Sequence, residues 1–478
     1  MTHLPKFIFL PLLFVIIQSN AQEEWSLQGC IDHAFQHNIQ IKQSALNVEI
    51  SEINKEQSFG SFLPSLNGSA SHGYNWGQTI DPFTNSFATE RIQSNSFGLS
   101  TGVILFNGFQ NQNQYKQSLY NLNASLASLE KMRNDMALNI ANAYLNVLFN
   151  KEFLAIAQSN LSATDQQVDR IRKMVNAGAL PQGNLLEIEA QQASDHATVI
   201  STENSLLIAR LTITQQLQLN GEEAANFQVS TPDLSELEQI TLSADAATTV
   251  ESALRNLPEI KAAEASLEAA KAGLSISKGG YSPRLSASYS YGTGYSGAAV
   301  VPVGDIQYLG DEYIGYVEGS LDPVLTPIFS YSDFETKPFL DQFNDNINQS
   351  LFFSLSIPIF NGFSTRSNVA RSEISLKNQE YALELAKQQL EQDVERAFAD
   401  ARAAYNNYLA GEQSVRAAEL AFNYAEIRYE QGASNIVDYT TARVRLDNAR
   451  ANLIRNKYDY LFRSKVLEFY KGNPITFR

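Results

Sequence analysis

Few side chains in this sequence stand at spacings that could do chemistry. Gly292-Thr293-Gly294-Tyr295-Ser296-Gly297 matches the glycine pattern that cradles a dinucleotide. That pattern needs a helix to begin at once, whereas Val300, Val301 and Pro302 follow, so small lumen-side strand residues account for it. His33 and His37 stand one helical turn apart. Two histidines hold a metal weakly, no third ligand can be placed, and the glutamate of a metalloprotease helix is missing. Cys30 is the one cysteine, so there is no disulfide framework. Leu27-Gln28-Gly29-Cys30 has the outline of a lipoprotein cleavage box, but Glu23, Glu24 and Trp25 separate it from the apolar run before it. Cys30 fits better as a small buried residue of a helix starting near Ser26. No Ser/His/Asp or Cys/His set stands out. The reading is of a non-enzyme with no cofactor and no metal.

The 478 residues suffice for two or three domains, and a 44% hydrophobic content argues against disorder. A formal net charge of -16 makes nucleic acid a poor partner, because phosphates need clustered Lys and Arg. Residues 1–21 read as a secretory signal, with His3 and Lys6, an apolar run from Phe7 to Ile17, and a small-residue cleavage site at Ser19-Asn20-Ala21. No run of 18 apolar residues follows. A membrane crossing must then be a barrel, since only helices and closed barrels satisfy their backbones in lipid.

The sequence is written twice. Phe106-Asn107-Gly108-Phe109 recurs as Phe360-Asn361-Gly362-Phe363, and Gly178-Ala179 as Gly432-Ala433, both at an offset of 254 (360 minus 106). Upstream, Ile41-Lys42 matches Ile260-Lys261, Pro64 matches Pro283 and Leu66 matches Leu285, at an offset of 219 (283 minus 64). Each copy predicts a helix, two strands, a helix of about 65 residues, a turn and a last helix. The first copy spans 22–220, with strands at 62–77 and 94–107 and a turn at 177–183. A linker covers 221–248. The second copy spans 249–478, with strands at 283–296 and 349–361 and a turn at 431–437. The opening helices are expected over 27–59 and 249–279.

The four strands alternate apolar and small polar residues. Leu285, Ala287, Tyr289, Tyr291, Thr293 and Tyr295 oppose Ser286, Ser288, Ser290, Gly292 and Gly294. A soluble sandwich would show the same pattern. Strands of about 10 to 13 residues with aromatic ends suit a tilted span whose apolar side meets lipid. Four strands cannot close a barrel, so several chains must share one.

The long helices, at 1.5 Å per residue, reach about 100 Å. Their apolar residues step by four and three: Leu122, Leu126, Leu129, Met136, Ile140 and Ala143, then Val394, Phe398, Ala401, Tyr405 and Tyr408. That is a coiled-coil seam, which a soluble rod would share. Gly178 and Gly432 are placed as left-handed C-caps. Asn184 and Asp438 stand where the next helix begins, as caps or first-turn residues.

The doubled layout, the two Phe-Asn-Gly-Phe strand ends and the turn from Arg428-Tyr429-Glu430-Gln431-Gly432 to Ile436-Val437-Asp438 resemble the outer membrane efflux protein family, the TolC-like channels. The resemblance covers nearly the whole chain after residue 21. It implies a mixed α and β membrane protein. Each chain would lend four strands to a trimeric twelve-stranded outer-membrane β-barrel, continued by a long antiparallel coiled-coil periplasmic tunnel. It further implies a homotrimer in the outer membrane of a Gram-negative bacterium, in contact with its lipid. The chain would be the passive duct of a tripartite efflux pump, with a periplasmic adaptor and an inner-membrane transporter as partners. The adaptor would dock at Gly178, Ala179, Gly432 and Ala433. Asp438 falls on an acidic constriction position of the family, and the second such position holds Thr441. Asn184 and Glu187, with Glu189, would add to that constriction from the first copy. Pro64, Phe106, Gly108, Pro283, Phe360 and Gly362 mark the junctions of strands and helices.

The same duct could secrete proteins in a type I system. In another class, the chain would be a periplasmic coiled-coil structural protein with a β cap. The insertion at 297–348 carries nine acids and one base, Lys337. It is expected as a surface loop at the barrel mouth, with a lid or a docking site for a surface protein as alternatives.

Overall fold

The computed structural model describes residues 24–88, 91–231 and 246–473. The secretory signal at 1–21 and the linker residues 232–245 lie outside the described residues. In chain order the elements are α1 (Leu27–His37), α2 (Ile39–Gly60), β1 (Ser65–Asn75), β2 (Thr79–Ile80), β3 (Phe87–Ala88), β4 (Ile92–Phe106), α3 (Gln110–Asn176), α4 (Gln182–Leu217) and α5 (Gly221–Ala225). Then come α6 (Ala246–Asn256), α7 (Pro258–Gly279), β5 (Arg284–Ser296), β6 (Val300–Pro302), β7 (Ile306–Tyr316), β8 (Pro323–Tyr331), β9 (Phe334–Thr336), α8 (Phe339–Asp345), β10 (Asn348–Ser356), α9 (Ser364–Glu430) and α10 (Ile436–Tyr470). Both long helices, α3 and α9, run 67 residues.

Two opening helices were expected unbroken, and each is in two pieces. Asn38 leaves the helix with ψ 129. Its carboxamide oxygen accepts from the N–H of Gln40 and its amide donates to the carbonyl of Gln216. The same break falls 219 residues later at Leu257, where Pro258 opens α7 as a first-position proline.

The chain divides into two compact units. One holds Ser51–Asn121 and Leu267–Gln379. Its heart is an antiparallel four-stranded sheet in the order β1-β4-β5-β10. The register puts Leu66, Ala70, Tyr74, Phe97, Leu99, Tyr289, Tyr291, Leu351, Phe353 and Leu355 on one face. Serines and glycines dominate the other, with Asn67, Ile104 and Phe352 among them, and there the Ser71 and Ser96 hydroxyls lie 2.7 Å apart and those of Ser290 and Ser350 2.6 Å. Below the sheet, Gln110 donates to the Ile276 carbonyl at 3.0 Å and Gln117 to that of Ala269, tying α3 to α7.

The insertion is built, not a bare loop. The pairs β6–β9 and β7–β8 form one arm, from Lys337 N–H on Ala299 to Tyr316 beside Pro323. Helix α8 then folds back on the end of β5. Phe339 and Phe343 pack on Phe97, and Phe339 on Tyr295. Thr293, expected on the lipid-facing side, is therefore buried under α8. Buried Gln342 donates to the carbonyls of Ser296 and Lys337 and accepts from the Ser296 N–H. From the other side of β5, Asp81 accepts from the Ser296 hydroxyl and from the N–H groups of Phe83 and Thr84. A Cβ on Gly294 would stand 1.9 Å from Phe83, so this glycine of the Gly-Thr-Gly run admits an aromatic ring against the strand.

The second unit holds Met1–Ile50, Leu122–Ser266 and Glu380–Arg478. Its core runs along α1, α3, α4 and α10 and includes Cys30, Ile140, Tyr144, Leu148, Ile213 and Tyr460. Of the predicted seam, Leu122, Leu129, Met136, Ile140, Ala143, Val394 and Ala401 are buried, but Leu126 is 43% exposed. The Tyr144 hydroxyl lies 3.0 Å from the Trp25 carbonyl and 2.6 Å from that of Ser230, which fixes the described start of the linker against α3. His33 and His37 stack at 4.1 Å, and burial pushes the Cys30 thiol up to about 12.

Candidate functional site

The two helix turns are built alike. After α3, the Gly178 N–H donates to Val175 and the Ala179 N–H to Met174, with Gly178 at φ +75. After α9, the Gly432 N–H donates to Tyr429 and the Ala433 N–H to Arg428, with Gly432 at φ +70. Both are Schellman closures, which satisfy the last carbonyls and need a left-handed residue at the second-last position. Nothing lies within 4 Å of where a Cβ would stand on either glycine, so backbone conformation alone demands them.

The turns differ on their far sides. Helix α10 is capped by Asn435, whose side-chain oxygen accepts from the Asp438 N–H at 2.8 Å. Asp438 is thus the first-turn acid, not the cap, and its carboxylate accepts from the Ser434 hydroxyl at 3.1 Å. Helix α4 begins after Pro181 with no side-chain cap, and Asn184 is its third residue. Asp438, Thr441 and Glu187 are exposed, and Asn184 is half-buried. Glu189 is engaged by Arg172 at 3.0 Å.

One apolar cluster unites the two turns. Val168 and Ile171 of α3, Leu185 and Ile188 of α4, and Ile436 and Tyr439 of α10 form it, with Phe422 and Tyr429 of α9 packed against it. The Tyr439 ring stands 5.2 Å from that of Tyr429 and 5.5 Å from that of Phe422. Burial raises both tyrosine hydroxyls above their ordinary pKa, so they stay protonated. Arg170 and Glu430 close the outside of the cluster at 3.3 Å. Tyr439, Arg170 and Asn435 were not singled out from sequence, and Tyr429 stood there only as part of the turn motif. Of these only Asn435, three residues before an acid, carries a local signal.

The strand–helix junctions also come in a matched pair. In each Phe-Asn-Gly-Phe run the glycine and second phenylalanine are left-handed: Gly108 at +66 and Phe109 at +61, Gly362 at +62 and Phe363 at +63. The two rings of each run meet edge to face at 5.5 Å. Their surroundings differ. A Cβ on Gly108 would lie 2.5 Å from the Gly279 carbonyl oxygen and from Ser282 Cβ, whereas Gly362 has nothing within 4 Å. Phe360 is 76% exposed and Leu66 is 74% exposed. Pro64 and Pro283 each precede a strand by one residue or less.

Strands with lipid-length alternation, joined through such junctions to helices of 67 residues, define the protomer of a barrel-and-tunnel channel. The chain matches the family described as outer membrane efflux protein over residues 30–217 and 249–473. It is similar to the outer membrane efflux protein BepC of Brucella suis biovar 1 (strain 1330), 21% identical across 95% of this chain and 86% of that one. It is also similar to the outer membrane protein TolC of Escherichia coli (strain K12), 24% identical across 68% of this chain and 59% of that one. Among solved structures, CusC superposes with a TM-score of 0.75 at 18% identity, covering 94% of this chain and 92% of CusC. The chain belongs to the outer membrane efflux protein family, a family of transport channels of the Gram-negative outer membrane.

Proposed function

We propose that three copies of this chain close one twelve-stranded barrel and form the outer-membrane duct of a tripartite efflux pump. The observation that carries this reading is the open sheet: β1 and β10 are its two outer strands, and each has one unpaired edge. Unpaired backbone groups are not tolerated in lipid. Two copies would give eight strands, whose interior is filled by side chains, while three leave a lumen. The exposed Leu351, Phe353, Leu355 and Ile357 then meet acyl chains.

In this reading the joined turns are the closed periplasmic end. Gly178, Ala179, Gly432 and Ala433 offer the adaptor a surface of backbone and small side chains, and the adaptor couples the duct to an inner-membrane transporter. Asp438 supplies the acidic ring of the constriction. Thr441, Asn184 and Glu187 line the same end without further fixed acid from Thr441. Three carboxylates at a narrow point attract cations and repel anions. Opening separates α9 and α10 from α3 and α4 at the tyrosine cluster. Pro64, Phe106, Gly108, Pro283, Phe360 and Gly362 turn the chain from barrel to helix.

Detergent extraction followed by native mass measurement tests the assembly. The expected mass is that of three chains. A monodisperse single chain that stays in solution without detergent would reject the proposal.

A further inference from the structure

The internal duplication carries into the hydrogen-bond register. In the first copy Ser65 pairs with Gly102; in the second, Arg284 pairs with Ser356. Each partner has advanced by its own offset, 219 for the first strand and 254 for the second. A different seam joins the copies: β4 pairs with β5, with Ser100 opposite Ser290, Gly102 opposite Ser288 and Phe97 opposite Thr293. This seam has a counterpart that the single chain cannot make. Moving β4 forward by 254 lands on β10, and moving β5 back by 219 lands on β1. These are the two outer strands of one sheet.

We infer that β10 pairs with β1 of a second copy in the register copied from the β4–β5 seam. The inference rests on the shared-barrel reading and specifies its contact. Ser354 then stands opposite Ser71, Ser356 opposite Ser69, Leu355 opposite Ala70, Phe353 opposite His72, Leu351 opposite Tyr74 and Phe360 opposite Leu66. Three observations outside the arithmetic agree. Faces match: serine meets serine, and Leu355, Leu351 and Phe360 meet Ala70, Tyr74 and Leu66, with His72 the one polar residue on the apolar side of these pairs; a slip of one residue would reverse every pair. The β4–β5 seam shifts register between Ile104 and Phe106, and the corresponding stretch begins at Pro358, a residue that strands accept at bulges and edges. Phe360 and Leu66, two strongly exposed apolar side chains, become partners.

The junction follows the same rule. Gly108 is crowded by Gly279 and Ser282. The counterparts of those two are Gly60 and Leu63, so the empty space beside Gly362 is where these residues of the next copy fit.

Disulfide trapping in the assembled, detergent-extracted protein tests the register, with buried Cys30 changed to Ser. Directly opposed residues have Cα atoms about 4.5–5.5 Å apart, within disulfide range, while diagonal neighbours stand at about 7–8 Å. Ser71→Cys with Ser354→Cys, and Ser69→Cys with Ser356→Cys, are expected to give covalent species at two and three times the single-chain mass on oxidation. The crossed combinations, Ser71→Cys with Ser356→Cys and Ser69→Cys with Ser354→Cys, use the same four substitutions and are expected to stay single. Three-chain complexes that link only in the crossed combinations, or in none, overturn the register and leave the shared barrel standing. A single-chain native mass overturns the shared barrel, and the register falls with it.

Discussion

Replacing Gly108 and Gly362 separately by alanine should have opposite consequences for folding and assembly. Both glycines are left-handed, at +66 and +62. An L side chain there costs roughly 1–2 kcal/mol. At Gly108 the new methyl also meets the Gly279 carbonyl oxygen and Ser282 Cβ at 2.5 Å, one of them backbone that cannot swing away. Overpacking of that kind adds about 1–3 kcal/mol. Gly108→Ala therefore costs the single chain about 2–5 kcal/mol, a large part of a typical stability margin. Gly362→Ala meets nothing in the single chain and costs it only the backbone term. Its overpacking cost arises when Gly60 and Leu63 of the next copy arrive, once at each seam of the ring. The assay compares yield of membrane-inserted chain with the temperature at which detergent-extracted trimers dissociate. Gly108→Ala should lower the yield. Gly362→Ala should keep the yield near wild type while trimers dissociate at a lower temperature. Gly362→Ala trimers as heat-resistant as wild type would refute the reasoning.

Four further outcomes are expected. Asp438→Asn should lower the cation preference of the channel in planar bilayers, with Thr441→Ala nearly silent. Asn435→Ala removes the α10 cap and should cost about 1 kcal/mol, seen as faster proteolysis at residues 431–437. Burial pushes the Asp81 carboxyl up, but hydrogen bonds from Ser296, Thr84 and Phe83 outweigh it and hold the pKa below its ordinary 3.8. A depressed carboxylate stabilises the fold above its unfolded value and loses that contribution as pH falls through the folded one. The mouth-end loop should therefore resist protease at neutral pH and yield below pH 3.8, and Asp81→Asn should remove that acid transition. Deleting the arm at 302–334 while keeping α8 should leave trimers intact. Deleting 300–345, which also uncovers Phe97 and Thr293, should destabilise them.

The repeat offsets were legible because both copies solve the same packing problem with the same glycines and aromatics. The long helices showed through their seam and through Gly178 and Gly432, whose φ values no other residue adopts cheaply. The helix break at Asn38 was harder to see, since a single asparagine weakens a helix interior without forbidding it. Pro258, which opens α7 after Leu257, was the available signal, and the 219 offset carries it back to Asn38. Strands β7 and β8 were missed for a physical reason. Bulges between Tyr308 and Gly310 and between Tyr313 and Gly315 interrupt the period-two pattern. Across those shifts Tyr308, Tyr313 and Tyr316 stand opposite Phe329, Leu325 and Pro323. The burial of Thr293 under α8 depends on Phe339 and Phe343, more than 40 residues away, and no local pattern reports it.

Duplication also explains why the two halves need not be equal at the site. In the proposed ring of three chains the copies would alternate, so backbone geometry at the turns would recur six times: Gly178 and Gly432 close alike, with the same two hydrogen bonds. Side chains then divide the labour. In the first copy Glu189 is neutralised by Arg172, and α4 starts without a side-chain cap. In the second, Asn435 fixes the helix start, and Asp438 is held by Ser434 with no cation beside it among the described ion pairs. On the proposed reading, a carboxylate held in place is what a charge filter requires, and Asp438 of the second copy is held by Ser434. The tyrosines that pack the two turns together, Tyr429 and Tyr439, also belong to the second copy. On the proposed reading, the half that carries the charge would also supply the tyrosines whose packing must yield for the duct to open.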